Sequence, residues 1–83
     1  MRLVHLIVKN DLNGNRVVNT QMAYERLDDA FNYALDVAYG DYADQDPKLV
    51  GNKYGDVITV YVDGDIVARY DIYAIRVKPA IGN

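Results

Sequence analysis

The sequence contains no cysteine, only two prolines, and no long hydrophobic run. Without cysteine, the chain cannot form disulfides or thiolate metal sites, and nothing points to an oxidising compartment. No apolar stretch approaches the ~20 residues that a membrane-spanning helix needs. The start, Met1–Val8, is too short and too β-branched for a signal peptide. We therefore expect a protein that resides in the cytoplasm and does not act on a membrane.

The apolar content is sufficient for one small core. The chain has 83 residues, which we interpret as a single domain covering 1–83, and 51% of them are hydrophobic. A chain of this size buries only about 60% of the surface that its unfolded form exposes, so the core is modest. This hydrophobicity excludes an intrinsically disordered chain, which needs few apolar residues and a high net charge.

Negative charge is concentrated in one segment. The net charge is −3, but residues 25–46 carry seven acids and a single base, Arg26. The remainder has eight bases and five acids, a net charge of +3. An acidic lobe on a mildly basic body argues against a nucleic-acid binder, because phosphate binding requires a basic patch.

Two apolar segments with central turn residues predict two β-hairpins. Residues 2–9 and 16–20 are rich in β-branched side chains, and Asn13-Gly14 between them is a strong hairpin signal. The second strand is expected to continue towards Met22. Residues 56–62 and 66–77 predict a second hairpin around Asp63-Gly64.

The register of the second hairpin follows from its apolar pattern. A three-residue loop ending on Gly64 pairs Val60 with Ile66 and Ile58 with Ala68. One face of this hairpin then forms the expected core face, and its members are Ile58, Val60, Ile66, Ala68, Tyr70 and Ile72.

Between the hairpins, the hydrophobic period changes to that of a helix. Leu27, Ala30, Phe31, Ala34, Leu35 and Ala38 recur at helical spacing. We predict a helix over 27–39, with Gly40 as its stop. Residues 41–55 form a long connection, in which Lys48-Leu49-Val50 is predicted to add a short turn of helix. The fold class is therefore α+β: a ββαββ chain whose four-stranded, mainly antiparallel sheet carries one helix on one face.

Because one helix covers only one face of such a sheet, the second face becomes a candidate interaction surface. Apolar and tyrosine side chains are predicted there, and such patches usually mark interfaces. We expect this face to bind a partner or to form a homodimer. The alternative is that the 41–55 connection covers it. The predicted members of this sheet face are Leu3, Ile7, Val57, Tyr61, Val67, Arg69, Tyr73 and Ile75.

The outward side of the predicted helix is a second candidate surface, rich in acids and tyrosines. It is either a solvated helix face or a docking surface for a basic protein groove, which would gain association rate and specificity from complementary charge. Its predicted members, together with the acids that follow the helix, are Asp29, Asn32, Tyr33, Asp36, Tyr39, Asp41, Asp44 and Asp46.

No residue pattern indicates an enzyme, a metal site or a cofactor. His5 is the single histidine and has no base or orienting partner in the sequence around it. Asp44-Gln45-Asp46 and Asp63-Gly64-Asp65 lack the calcium-binding loop of an EF-hand. Arg69, Asp71 and Tyr73 alternate on one strand, which fits either a small polar ligand or, preferably, a cross-strand ion pair.

The layout resembles that of small ββαββ proteins of phages and other mobile elements, among them inhibitors of the anti-CRISPR type. The resemblance rests on the strand beginning at Met1, the helix containing Leu27-Asp28-Asp29-Ala30 and Ala34, and the closing hairpin 56–77. It implies a non-enzymatic inhibitor that occupies a surface of a larger host complex in the host cytoplasm. The alternatives are a structural homodimer or assembly subunit, and a small-ligand-binding domain with residues 41–55 as a lid.

Overall fold

A computed structural model describes the backbone of residues 2–77, and the side chains within that range other than 2, 17–24 and 77. The predicted α+β class is confirmed, since one helix lies on an antiparallel sheet. The sheet has five strands in the order β2-β1-β5-β4-β3. The elements are β1 (Arg2–Asp11), β2 (Arg16–Tyr24), α1 (Leu27–Asp41), a 3-10 turn (Ala43–Gln45), β3 (Lys48–Gly51), β4 (Val57–Val62) and β5 (Asp65–Val77).

The first hairpin is held by an aspartate. Asp11 accepts hydrogen bonds from the backbone N–H groups of Asn13 and Asn15, both at 2.9 Å. Gly14 adopts a φ of 81°, which a residue without a side chain reaches at no steric cost. The hydrogen bond from the Asn15 backbone is the main reason that the pKa of Asp11 is lowered.

The second hairpin turns through two residues rather than the predicted three. Asp63 and Gly64 have φ angles of 53° and 83°, as a type I′ turn requires. The shorter turn shifts the register by one residue and an extra residue in β5 shifts it by another, so Val60 lies opposite Ala68 and Ile58 opposite Tyr70, two residues from the prediction. A shift of two preserves the face of each side chain, and Ile58, Val60, Ala68 and Tyr70 are all buried as expected.

A β-bulge changes the face of two residues in β5. Tyr61 lies opposite Ile66 and Val60 opposite Ala68, which leaves Val67 as the extra residue. Ile66, predicted in the core, is instead 47% exposed. Val67, predicted on the open face, packs against the core. Both predictions were wrong because alternation was assumed to run through the bulge.

The helix approaches the sheet closely through a line of alanines. Ala30, Ala34 and Ala38 are fully buried, and larger apolar side chains on either side of this line pack against the core. The ring of Phe31 lies over Gly51, where an added Cβ would be only 2.6 Å from its Cζ. The predicted start at Leu27 is confirmed, but α1 continues through Gly40 to Asp41.

The connection after the helix extends the sheet. Residues 48–51, predicted as a turn of helix, form β3 and pair with β4. The connection therefore lies beside the sheet instead of beneath it, and the alternative in which it covers the second face was wrong. Among residues 2–77, no helix is long and apolar enough to cross a membrane.

The two ends of β5 differ in how many neighbouring strands they have. β4 pairs with β5 only as far as Asp71, whereas β1 pairs with β5 along its whole length to Val77. We call residues 2–6 of β1 and 73–77 of β5 the arm, and the helix-covered remainder the body. The arm contributes no described side chain to the core beneath the helix.

Candidate interaction surfaces

One line of α1 faces away from the sheet and carries carboxylates. Asp29, Asn32, Asp36 and Tyr39 are all exposed, at successive spacings of three, four and three residues. Ten residues of helix extend over about 15 Å. Asp44 and Asp46, just beyond the helix, are also exposed. We call these six residues the acidic strip.

The acidic strip forms no ion pair within the described part of the chain. The described ion pairs are Lys9–Asp41, Arg26–Asp28 and Arg69–Asp71, and none involves a carboxylate of the strip. The one base in this segment, Arg26, is held by Asp28 at 3.1 Å. Asp29 interacts electrostatically with Arg26, whereas Asp36, Asp44 and Asp46 form no described ion pair.

Asp41, predicted to join this surface, turns towards the sheet instead. Its Oδ2 accepts a hydrogen bond from the Tyr70 hydroxyl at 2.5 Å and lies 3.4 Å from Lys9 Nζ. Lys9 Nζ also lies 4.6 Å from the centre of the Tyr42 ring. A carboxylate at a helix C-terminus is disfavoured by the helix dipole, and these two partners offset that cost. Asp41 thus fastens the end of α1 to the sheet.

The contacts of Asp41 are reflected in the titration of its partners. Burial, followed by the hydrogen bond to Asp41, raises the pKa of Tyr70 far above its ordinary value. Burial acts to lower the pKa of Lys9, but the hydrogen bond to Tyr42 and the charge of Asp41 outweigh it and raise that pKa. Both groups are therefore held in their protonated forms.

Tyr33 also differs from its prediction. It is half-buried and packs against the core, whereas the outward side of α1 was expected to include it. It lies beside the alanine line because the exposed sector of the helix is narrower than predicted. Its contacts therefore belong to the fold and not to the acidic strip.

The open face of the sheet contains different β1 residues from those predicted. Ile7 lies opposite Ile72 and is only 2% exposed, within the core beneath the helix. Leu3 has the same parity as Ile7 and lies opposite Arg76. The open face instead receives Val4, Leu6 and Val8. Because β1 is apolar on both sides, its sequence did not reveal which side faces the helix.

A polar network occupies the middle of the open face. Asp71 is 8% exposed and accepts hydrogen bonds from Asn10 Nδ2 and Arg69 Nε, each at 3.0 Å. The expected ion pair of Arg69 is therefore formed along β5, while the contact across strands comes from Asn10. Asp71 lies between Val57 and Val8 in the register. This network interrupts the apolar patch that the sequence predicted.

The exposed apolar side chains of the open face fall into two groups. Tyr73 and Ile75, 44% and 40% exposed, belong to the arm. Ile66 lies at the opposite end of β5, next to Tyr61, and Val50 of β3, 41% exposed, lies nearby opposite Thr59. The Arg16 guanidinium stacks 5.9 Å from the ring centre of Tyr73 and covers part of the first group. Neither group is large enough to be the continuous patch expected from the sequence.

The 41–55 connection is poorly suited to act as a lid. Its middle is fixed as the 3-10 turn and β3. Its end is held by Asn52, whose side-chain oxygen accepts hydrogen bonds from the N–H groups of Asp56 and Val57 at 3.0 and 3.1 Å. The segment is thus part of the sheet architecture.

Among the described side chains, no three or more His, Cys, Asp or Glu residues are grouped as a metal ion would require. Comparison of the chain with protein-family models, with curated proteins and with solved structures found no match. The interaction surfaces must therefore be interpreted from their own geometry.

Proposed function

We propose that this protein is a non-enzymatic binding protein that inhibits or modulates a larger protein complex, docking through the acidic strip of α1. The observation that carries the proposal is the set of exposed carboxylates on α1 and just after it, Asp29, Asp36, Asp44 and Asp46, none of which forms a described ion pair. Charged surfaces of this kind guide association with an oppositely charged partner and suppress wrong partners. The partner is expected to present a basic groove.

The rigidity of the helix supports this function. α1 is held along its length by the buried alanine line and at its end by the Asp41–Tyr70 hydrogen bond. Acids on a fixed helix require little ordering when a partner binds, so less binding energy is lost. The carboxylates of the strip form none of the described ion pairs, which leaves them available to a partner.

The resemblance to small phage inhibitors also suggests what kind of partner this protein binds. On that basis, the partner is a macromolecular complex of a host cell, and binding takes place in the host cytoplasm. A basic groove that normally holds nucleic acid is the best complement to a row of carboxylates, because such grooves carry clustered lysine and arginine.

The test is affinity capture from host lysate with quantitative mass spectrometry, followed by measurement of binding to the purified partner. We expect Asp36→Lys to weaken binding at least tenfold, and Asp29→Lys together with Asp36→Lys to abolish it. Binding by the unaltered protein should weaken as salt is added, because the attraction is between exposed charges.

Asp65→Lys is the matched control, since it makes the same charge change at an exposed carboxylate on the β4–β5 hairpin, outside the strip. It should bind almost as well as the unaltered protein. Equal binding by the Asp36→Lys and Asp65→Lys variants would show that net charge, and not the acidic strip, governs recognition. Full binding by the double variant would remove α1 as the docking surface.

A homodimer through the whole open sheet face is less well supported. The buried Asp71 and its partners Asn10 and Arg69 lie in the middle of that face. A second sheet packed there would have to desolvate this network, which is costly for charged groups.

A further inference from the structure

Within residues 2–77, one backbone edge of β5 has no strand partner in the arm. On the side of β4, the last described hydrogen bond is from Ile72 N–H to the carbonyl oxygen of Asp56, at 2.8 Å. Before Asp56 the chain turns away through residues 52–55. β5 continues to Val77, and there its described strand partner is β1 alone.

The direction of the backbone groups follows from strand alternation. Since Ile72 N–H points towards β4, the N–H and C=O groups of Ala74 and Arg76 point to the same side. Those of Tyr73 and Ile75 point to β1. Within residues 2–77, no strand is paired with β5 at Ala74 or Arg76 on the β4 side.

The described edge formed by β3 is protected, in contrast to this one. β3 has four residues, follows Pro47, begins with Lys48 and ends at Gly51, all features that discourage further pairing. The β5 edge carries Tyr73 and Ile75, with Arg76 as its one charged side chain, and Lys78 and Pro79 come only after the end of β5 in the sequence. Such an edge is a template for another strand.

We propose that the uncovered edge of β5 pairs antiparallel with the same edge of a second copy of this chain, about a two-fold axis at Ile75. The pairing joins two five-stranded sheets into one. It is independent of the acidic strip, which belongs to α1 in the body and takes no part in the pairing.

A second copy fits this edge because the edge is self-complementary. With the axis at Ile75, Ala74 lies opposite Arg76 of the second copy, and the reverse pair is identical. Each is a hydrogen-bonded pair of an antiparallel ladder, so the two pairs supply four backbone hydrogen bonds. This is the isologous arrangement typical of two-fold dimers. A second copy therefore presents a strand whose hydrogen-bonding pattern matches that of this edge.

The side chains at the axis are also compatible. Ile75, 40% exposed, faces its own counterpart at a non-hydrogen-bonded position, where opposing side chains come closest. Such pairs of β-branched residues stabilise a sheet. Arg76 lies opposite Ala74, so no like charges are directly opposed. Tyr73, 44% exposed, extends the covered surface on the open face.

The geometry also limits how many residues of the two β5 strands can pair. The 52–56 turn blocks the track beyond Ile72, so only 73–77 can pair, about 17 Å of strand. The bodies then lie at opposite ends of the joined arms. Because a stable interface buries about 1,600 Å² in total, we expect a weak dimer that forms at high micromolar concentration.

The test is sedimentation velocity on the full chain over a range of concentrations, with the unaltered protein and an Ala74→Pro variant. Proline at 74 deletes a donor on the uncovered side while leaving every hydrogen bond to β1, and proline is tolerated at such edge positions. We expect the unaltered protein to reach twice its mass of 9.4 kDa at high concentration. The Ala74→Pro variant should remain monomeric with an unchanged circular dichroism spectrum.

Ile75→Lys is the second variant, in case proline disturbs the arm. It sets two like charges against each other at the axis, and the exposure of Ile75 makes the monomer tolerant of lysine. Asp36→Lys is the control, because it lies in the acidic strip and should leave dimerisation unchanged. Loss of capture by that variant with retention of the dimer separates this proposal from the proposed function.

Two results would overturn the dimer. One is a monomer at every concentration tested. The other is a dimer that persists in both the Ala74→Pro and the Ile75→Lys variants, which would place the interface elsewhere.

Discussion

The strands β1 and β5 run through both the body and the arm, but their surroundings differ between the two regions. In the body, β1 and β5 are covered by α1, and β5 is paired on both sides. In the arm, β5 has no described neighbour on the β4 side, because its pairing with β4 ends at Asp71. Two isoleucines illustrate the contrast, since Ile58 in the body is fully buried and Ile75 in the arm is 40% exposed. In the arm, Val4 is 5% exposed, so burial there is on β1 while its partner Ile75 on β5 remains open to contact.

The largest effect is expected from truncating these two isoleucines. Ile58→Ala should lower the free energy of unfolding by about 2–5 kcal/mol, because it removes buried surface and leaves a cavity. Ile75→Ala should cost less than about 1 kcal/mol, because its side chain is partly solvated. Chemical denaturation of both variants at low concentration measures the difference. Equal losses would mean that the arm is as tightly packed as the body.

Replacing an alanine by leucine adds volume instead of removing it, and so compares the packing of the body with that of the arm in a second way. Ala34 is fully buried between α1 and the sheet, so Ala34→Leu should cost about 1–3 kcal/mol through overpacking. Ala74 is exposed, and Ala74→Leu should change stability by no more than about 0.5 kcal/mol. Thermal melts of the two variants provide the measurement. A tolerated leucine at Ala34 would contradict the close approach of helix and sheet.

A hydroxyl deletion compares a tyrosine of the body with one of the arm. Tyr70→Phe removes the hydrogen bond to Asp41 that fastens the end of α1. Because Asp41 is partly exposed, we expect a loss of only about 1 kcal/mol. Tyr73→Phe should have almost no effect, since its ring is 44% exposed. If denaturation curves showed similar changes for both, the Asp41 contact would contribute little to stability.

The smallest expected effect is a loss of folding stability at alkaline pH, caused by two residues of the body. The pKa values of Tyr70 and Lys9 are raised in the folded chain, so the folded state holds these protons more tightly than the unfolded one. This stabilisation is complete below the unfolded pKa values, about 10, and is lost as pH rises through the folded ones. Denaturation midpoints should therefore begin to fall near pH 10 and continue to fall as the pH is raised further.

Tyr70→Phe serves as the comparison for the pH series. It removes the tyrosine contribution, so its midpoint should fall less steeply over the same interval than that of the unaltered protein. Tyr73→Phe should retain the full slope. If the denaturation midpoints of all three proteins fell equally steeply with pH, the contacts of Asp41 would not be the cause of the stability lost at alkaline pH.

Much of the body could be predicted from the sequence, because its signals are local. The alanine and leucine spacing located α1 from Leu27, and Asp63-Gly64 located the second hairpin. The exposed acids of the strip also followed from helical spacing, since Asp29 and Asp36 lie seven residues apart. Each of these inferences depends on residues close together in the chain.

The remaining features depend on contacts that no local pattern contains. Alternation cannot indicate an extra residue, so the bulge at Val67 reversed Ile66 and Val67. β1 is apolar on both sides, so the burial of Ile7 is decided by its pairing with Ile72. Asp41 was assigned to the acidic surface because its partners Tyr70 and Lys9 are distant in the sequence.

The pairing of β3 and the uncovered edge of β5 were also hidden from the sequence. β3 has four residues and too few alternations to be distinguished from a turn of helix. The edge of β5 exists because β4 begins at Val57, opposite Asp71, and only the register reveals how much of β5 extends past that point. Differences in strand length therefore determine the candidate dimer surface.

The most direct measurement is amide hydrogen exchange by NMR at low and at high protein concentration. Amides of the body, such as those of Ile58 and Ala68, should exchange slowly at both. The amides of Ala74 and Arg76, which point away from β1, should exchange rapidly in dilute solution and become protected as the concentration rises. Exchange rates at Ala74 and Arg76 that do not change with concentration would contradict the assignment of the arm as the self-pairing region.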